Sequence, residues 1–167
     1  MKVSVHLFLS ILLTLLLNCK AKYSLDGIDT NNAKTFQVNL FENKADLIEP
    51  GLENNFTLVL QNLLQNHTKL NLEKSNGDLF YEGEIIDYRI SPTTATNINE
   101  ASQNRLTISV KCHFLNRLSH YEFDKTFSFF YDYPKNSQLV GNLKIEAIKE
   151  IFERISQNIF NESLAKW

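Results

Sequence analysis

The sequence predicts an α+β fold: a two-layer sandwich of a mostly antiparallel, four- to five-stranded sheet with two amphipathic helices on one face. Three observations predict it. Two segments carry apolar residues at helical spacing, several others alternate apolar and polar residues, and the order reads β-α-β-β-β-α. Strands that alternate need cover on one face only, so both helices belong on the apolar face and the other face stays polar and open.

The first strand is expected over Thr35 to Phe41, with Phe36, Val38 and Leu40 on one side. Pro50-Gly51 then breaks the chain ahead of a helix reaching to about Asn66. Counted from Leu52, the apolar residues Phe56, Val59, Leu60, Leu63 and Leu64 stand at offsets four, seven, eight, eleven and twelve, one face of an α-helix. Thr68 to Glu73 reads as a short strand with Leu70 and Leu72 on one face. Ser75-Asn76-Gly77-Asp78 is a turn, because Asn-Gly readily supplies positive φ.

From Asp78 to Ile90 a longer strand puts Leu79, Tyr81, Gly83 and Ile85 on one face, after which Tyr88 and Ile90 fall out of phase. One extra residue, a bulge near Ile86-Asp87, restores them to the same side. Ser91 to Gln103 is a polar loop. Asn104 to Asn116 alternates most cleanly, with Leu106, Ile108, Val110, Cys112 and Phe114 opposed to Arg105, Thr107, Ser109, Lys111 and His113. Tyr121 to Tyr131 repeats the pattern, interrupted by Lys125, and the short connection makes the two an antiparallel pair. Asn142 is the expected cap of a second helix to about Leu164, whose stripe is Ile145, Ile148, Ile151, Phe152, Ile155, Ile159 and Phe160.

The chain begins with a basic start, Lys2, and an apolar run from Leu7 to Leu17, too short to span a membrane. That is the layout of an export signal. Leu16-Leu17-Asn18-Cys19 resembles a lipobox, where bacterial lipoproteins are cut and the cysteine acylated; Asn18 departs from the small residue usual before the cysteine. Residues 1–18 are therefore expected to be a lipoprotein signal peptide, 19–34 a lipidated tether and 35–167 a single domain. The alternative is an ordinary cut near residue 20 that discards Cys19.

The mature part, about 150 residues, suffices for one domain with a real core. The full chain carries a formal charge of −2, and losing Lys2 takes it to −3. A nucleic-acid binder is usually basic, so nucleic acid is not an expected partner. With Cys19 acylated, Cys112 has no intrachain partner and reads as a small buried hydrophobe, an intermolecular disulfide being the alternative.

Catalytic and metal chemistry find little support. Cys112 and His113 are adjacent in a strand, so they leave opposite faces and cannot share a metal. His120 and Asp124 stand four residues apart, over ~13 Å along an extended chain. No phosphate loop or nucleophile elbow appears. Glu82 and Glu84 read as a solvated strand face, not an acid/base pair. No enzyme activity, metal or cofactor is expected. Arg105, Lys111 and Arg89 on the polar face are candidates for meeting phosphates or a partner's acidic groups, set against their being ordinary solvated charges.

With its elements placed, the chain resembles the lipopolysaccharide-assembly lipoprotein family LptE in its Bacteroidota-type form. Cys19-Lys20-Ala21-Lys22-Tyr23-Ser24-Leu25-Asp26-Gly27 resembles that branch's start, with Leu25 in place of the usual Phe. Thr35 to Asn43 resembles a first strand ending Phe-x-Asn. Asp78-Leu79, Glu82-Gly83-Glu84-Ile85 and Tyr88, followed by Ser91-Pro92, resemble its long strand, and the later strands and closing helix also fit.

The resemblance covers essentially the whole mature chain. It implies a lipid-anchored protein on the periplasmic side of the outer membrane that plugs the lumen of a large β-barrel, LptD, and helps insert lipopolysaccharide into the outer leaflet. The lack of acidic residues right after Cys19 fits, since surface-export signals in that group resemble a short acidic run there. Basic residues bind lipopolysaccharide in family members, but no local motif carries those positions over. The Ser91–Gln103 loop or the Arg89/Arg105/Lys111 face is the expected contact with barrel or glycolipid. The competing readings are a generic periplasmic binding or scaffold lipoprotein and, less supported, a lipid-anchored hydrolase.

Overall fold

The computed structural model describes residues 30, 32–47, 49–93 and 103–165. Along the chain run β1 (Thr35–Val38), β2 (Glu42–Asn43), α1 (Leu52–His67), β3 (Asn71–Leu72), β4 (Leu79–Thr93), β5 (Gln103–Asn116), β6 (Tyr121–Pro134) and α2 (Gly141–Leu164). The strands form one six-stranded sheet in the order β3-β1-β4-β5-β6, with β2 also paired to β4. The expected α+β sandwich is present, but the sheet is mixed and has one strand more than expected. β4, β5 and β6 are antiparallel, whereas β1 is parallel to β3 and β4, and β2 to β4. The physical reason is α1: a strand–helix–strand crossover returns the chain in the same direction and so produces parallel pairing.

The first strand also departs from expectation. It ends at Val38, and Leu40 is 57% exposed while Phe41 is fully buried. Burying the larger ring wins: Phe41 packs edge-on against Phe56 at 4.8 Å, and Phe56 against Phe152 at 5.1 Å. The Phe41 N–H donates to Thr57 Oγ1 at 3.1 Å, which satisfies the backbone where strand pairing lapses.

In α1, Leu52, Phe56, Leu60 and Leu64 are buried as the periodicity requires. Gly51 precedes it with φ +86, a conformation that glycine adopts without a Cβ penalty. The Asn76-Gly77 turn forms with Asn76 at φ 57. It clasps two distant segments. Asp78 Oδ2 accepts the N–H groups of Lys34 at 2.8 Å and Thr35 at 3.1 Å, while Thr35 Oγ1 accepts the Asp78 N–H at 3.0 Å.

The bulge lies where the alternation demands it. Pairing of β4 with β5 runs from Leu79↔Asn116 to Ile85↔Val110 and resumes at Asp87↔Ser109, leaving Ile86 as the extra residue. Tyr81, Ile85 and Tyr88 are therefore all buried. β4 continues through Ser91-Pro92-Thr93 and β5 starts at Gln103, so both ends of the expected loop are strand, and residues 94–102 lie outside the described residues.

α2 begins at Gly141, with Val140 flanking it and no side-chain cap, so Asn142 lies inside the helix instead of capping it. Ile148, Ile151, Phe152, Ile155, Ile159 and Phe160 are buried as expected, together with Ala147 and Leu164. Ile145 is a correction: it is 64% exposed, in the opening turn ahead of the first buried residue. Lys125, which interrupts β6's apolar alternation, reaches Glu162 on α2 and so keeps its charge partnered at the rim of the core. Among the described residues no helix is long and apolar enough to cross a membrane.

Candidate functional site

The open face of the sheet carries the polar residues singled out by sequence. β5 supplies the middle row, Arg105, Thr107, Ser109, Lys111 and His113. β4 flanks it with Ser91, Arg89, Asp87, Glu84 and Glu82, and β6 with Asp132, Phe130, Ser128, Thr126 and Asp124. The alternation puts all three candidate cations on this face. It does not put them at one point, since six residues of strand between Arg105 and Lys111 span about 20 Å.

Their surroundings differ. Arg105 makes a bidentate pair with Asp132, Nε to Oδ1 at 2.7 Å and Nη2 to Oδ2 at 2.8 Å, and its guanidinium lies 3.6 Å from the centre of the Phe130 ring. The fork geometry and the aromatic platform commit this side chain. The hydrogen bonds to Asp132 hold the Arg105 pKa above its ordinary value. Arg89 is looser, 3.6 Å from Asp87, with a side chain 63% exposed. Lys111 stands across from Glu84 on β4 and Thr126 on β6.

Lys111 lines a shallow, open depression of about 500 Å³. Carboxylates dominate its walls: Glu42, Glu82, Glu84 and Asp124 surround Lys111 and His113, and His113 Nδ1 lies 3.3 Å from Asp124 Oδ2. Behind the depression, Gly83 permits close packing, since a Cβ there would collide with the Lys111 carbonyl and the Phe41 ring. A phosphate approaching this end of the face meets more negative than positive charge. At the opposite end Arg89 and Arg105 are each set against one carboxylate, Asp87 and Asp132.

Cys112 and His113 do point to opposite faces: the thiol is fully buried and the imidazole sits in the depression. Burial pushes the Cys112 thiol up to about 12, so it is a core residue and a poor nucleophile. Among the described residues no three His, Cys, Asp or Glu side chains converge as a metal site. Cys19, the candidate acylation site, lies outside the described residues. Sequence reasoning missed the Asp132–Arg105–Phe130 unit; the signal available was a carboxylate and an aromatic two residues apart on a strand antiparallel to Arg105.

Residues 33–163 match the model of the lipopolysaccharide-assembly family, LptE. No curated protein matches the chain. Among solved structures, a hypothetical protein of Chlamydia trachomatis aligns with TM-score 0.50 and 10% identity, over 77% of this chain and 96% of that one. A minor lipoprotein from Acinetobacter baumannii aligns with TM-score 0.44 and 14% identity, over 81% and 96%. The rare lipoprotein B of Shewanella oneidensis aligns with TM-score 0.44 and 12% identity, over 76% and 92%. At such identities a structural likeness concerns the fold alone.

Proposed function

This chain belongs to the LptE lipopolysaccharide-assembly family, and from that membership we propose that it is a lipid-anchored subunit of the outer-membrane lipopolysaccharide translocon. In this reading Cys19 carries the acyl anchor on the periplasmic side. The domain plugs the lumen of an LptD-type β-barrel and helps deliver lipopolysaccharide to the outer leaflet. The matching family is one of assembly proteins, not of enzymes.

The observation that carries the reading is the family match across the whole folded core. The chemistry of the open face supports it, because a barrel lumen is polar and water-accessible, and a compact domain with one charged sheet face suits it. The proposed contact is the Arg89/Arg105/Lys111 face with the adjoining residues 91–103. Arg89, with a side chain 63% exposed and a loose 3.6 Å contact to Asp87, is the cation assigned to meet a glycolipid phosphate, and Arg105 serves through its fixed pair with Asp132.

Gentle detergent extraction of the tagged chain tests the reading. A large barrel is expected to co-purify in near one-to-one ratio, and Cys19→Ala to leave the chain unacylated by mass spectrometry of its mature N-terminus. Absence of a barrel partner would favour a scaffold lipoprotein acting elsewhere in the periplasm. Charge reversal of Arg89, Arg105 and Lys111 is expected to weaken glycolipid binding or barrel assembly; loss of neither removes this face from the proposal.

A further inference from the structure

A groove of about 380 Å³ lies between α1 and α2 on the outer surface of the helix layer. The helices run parallel, with His67 against Phe160 at one end and Phe56 against Phe152 toward the other. Half-buried Val59 and Leu63 give the groove an apolar floor, and exposed Asn62, Asn66 and Gln157 line its walls. Its one carboxylate, Glu153, stands at the end away from His67 and is held loosely by Lys149 at 3.9 Å. Ser156 lies beneath the groove, fully buried, and among the described residues its Oγ has no hydrogen-bond partner. Buried hydroxyls are nearly always paired, and one in a helix commonly turns back to the carbonyl a turn earlier. A groove with an unpartnered hydroxyl under it is short of a neighbour.

The chain itself delivers one. It enters the described fold at Thr30, beside the end of α1: Asn71, four residues after His67, donates its N–H to the Lys34 carbonyl at 2.9 Å. There the Ala33 N–H donates to the Thr30 carbonyl at 2.9 Å, with Asn32 at φ 65, which makes a turn. A turn reverses the chain, so the residues before Thr30 head back along the domain in the direction that β1 takes. That direction leads from the His67 end of the groove to the Glu153 end, because α1 runs opposite to the parallel strands β1 and β3 that it joins.

We propose that residues 22–29 of this same chain lie extended in the α1–α2 groove, with Tyr23 and Leu25 seated over Val59 and Leu63. Residues two apart in an extended segment share a face, so both point inward while Ser24 and Asp26 face out. The groove is at the small end of the range for ligand pockets, which suits a pair of side chains. The charges agree with the direction: Asp29 and Asp26 come nearer His67 and Lys69, and Lys22 comes at the Glu153 end. The segment's backbone brings N–H and C=O groups to the amide walls and to Ser156. Either cut of the leader leaves residues 22–29 attached, so the docking does not depend on acylation. Its consequence for the anchor does rest on the Cys19 reading. Docked, the chain from Cys19 to Lys22 spans about 10 Å, against about 36 Å from Cys19 to Thr30 when free. The helix layer then faces the membrane, and the open sheet face is left to the partner.

Disulfide trapping in the full-length chain tests it. On mild oxidation, Leu25→Cys with Leu63→Cys is expected to give roughly tenfold more cross-linked peptide by mass spectrometry than Leu25→Cys with Gln65→Cys, because a disulfide forms only at close approach. Gln65 is exposed two residues on, about 200° round α1 and away from the groove. Asn62→Cys, on the exposed wall, takes the place of Leu63→Cys if truncating that residue unfolds the domain. Lys22→Glu is expected to cut the trapped fraction about threefold, the scale of an exposed ion pair. Trapping as strong at Gln65 as in the groove, or none in the groove, overturns the proposal. So does a groove cysteine joined to a second copy or to a different protein, which would give the groove another occupant. Intact trapping on a chain whose Cys19 is unacylated removes the anchor reading and supports the docking.

Discussion

Neighbouring residues of β5 live in different worlds. Val110 and Cys112 are fully buried beneath the helices, while Lys111 and His113 between and beside them line an open, carboxylate-rich depression. On the helix side, identity is set by volume, because close-packed interiors register a single missing methylene. On the open side, identity is set by charge, and paired surface charges contribute little to stability. The core face thus holds the fold, and the open face contributes little to its stability.

Breaking the core face gives the largest expected effect. Phe152→Ala removes a ring that packs on Phe56 in the fully buried aromatic stack. A loss of about 3–5 kcal/mol is expected, measured by urea unfolding. Next comes Gly83→Ala, which adds a methyl where the Lys111 carbonyl and Phe41 ring already sit. Overpacking of this kind costs roughly 1–3 kcal/mol, and because the tightest clash is with the β5 backbone, a wild-type melting temperature would mean that the β4–β5 ladder itself gives way there without cost.

The buried thiol sharpens the comparison with pH. Cys112 is raised from 9.0 to about 12 by burial, so the fold favours its neutral form. Its contribution is fully present below about pH 9 and is lost as the pH climbs toward 12. Tyr88, also raised by burial, to about 12, adds a similar loss that begins nearer its ordinary value of 10.0. Stability is therefore expected to fall from pH 9 upward, and Cys112→Ala to flatten the segment between pH 9 and 10 where tyrosine contributes least. An identical slope in the variant would remove the thiol from the account.

On the open face the expected effects are the smallest. Arg105→Ala breaks a bidentate pair whose side chains are 36% and 26% exposed. Exposed pairs are worth about 0.2–1 kcal/mol, so unfolding should barely change while any glycolipid or barrel contact made by this face does. A double-mutant cycle with Asp132→Asn measures the coupling directly.

Much of the fold was legible because period is a local property. The phase break between Ile85 and Tyr88 located the bulge, and the offsets from Leu52 located α1. The parallel pairing was not legible, because it depends on where the α1 crossover returns the chain and not on any residue in β1. Leu40 and Phe41 misled for a related reason: alternation predicts a continuous strand, but a phenylalanine one position out of phase gains more by joining Phe56 than the ladder gains by continuing. The candidate face was readable as a face, since alternation sorts side chains. Which of its cations were already taken was not, because Asp132 and Phe130 become neighbours of Arg105 only through the β5–β6 register.

Ile86 has one more consequence. Removing it would leave Ile85, Asp87 and Tyr88 in ordinary alternation, with every later side chain of β4 on the side it occupies now. The residue is thus a steering element whose absence costs no inward or outward assignment. A bulge bends its strand and tightens the local twist, so Ile86 sets the compass bearing of the hairpin arm that carries Arg89 and Arg105. Deleting it is expected to yield a folded chain with its core intact and its arm aimed elsewhere, so that the direction of the arm can be altered separately from the making of the domain.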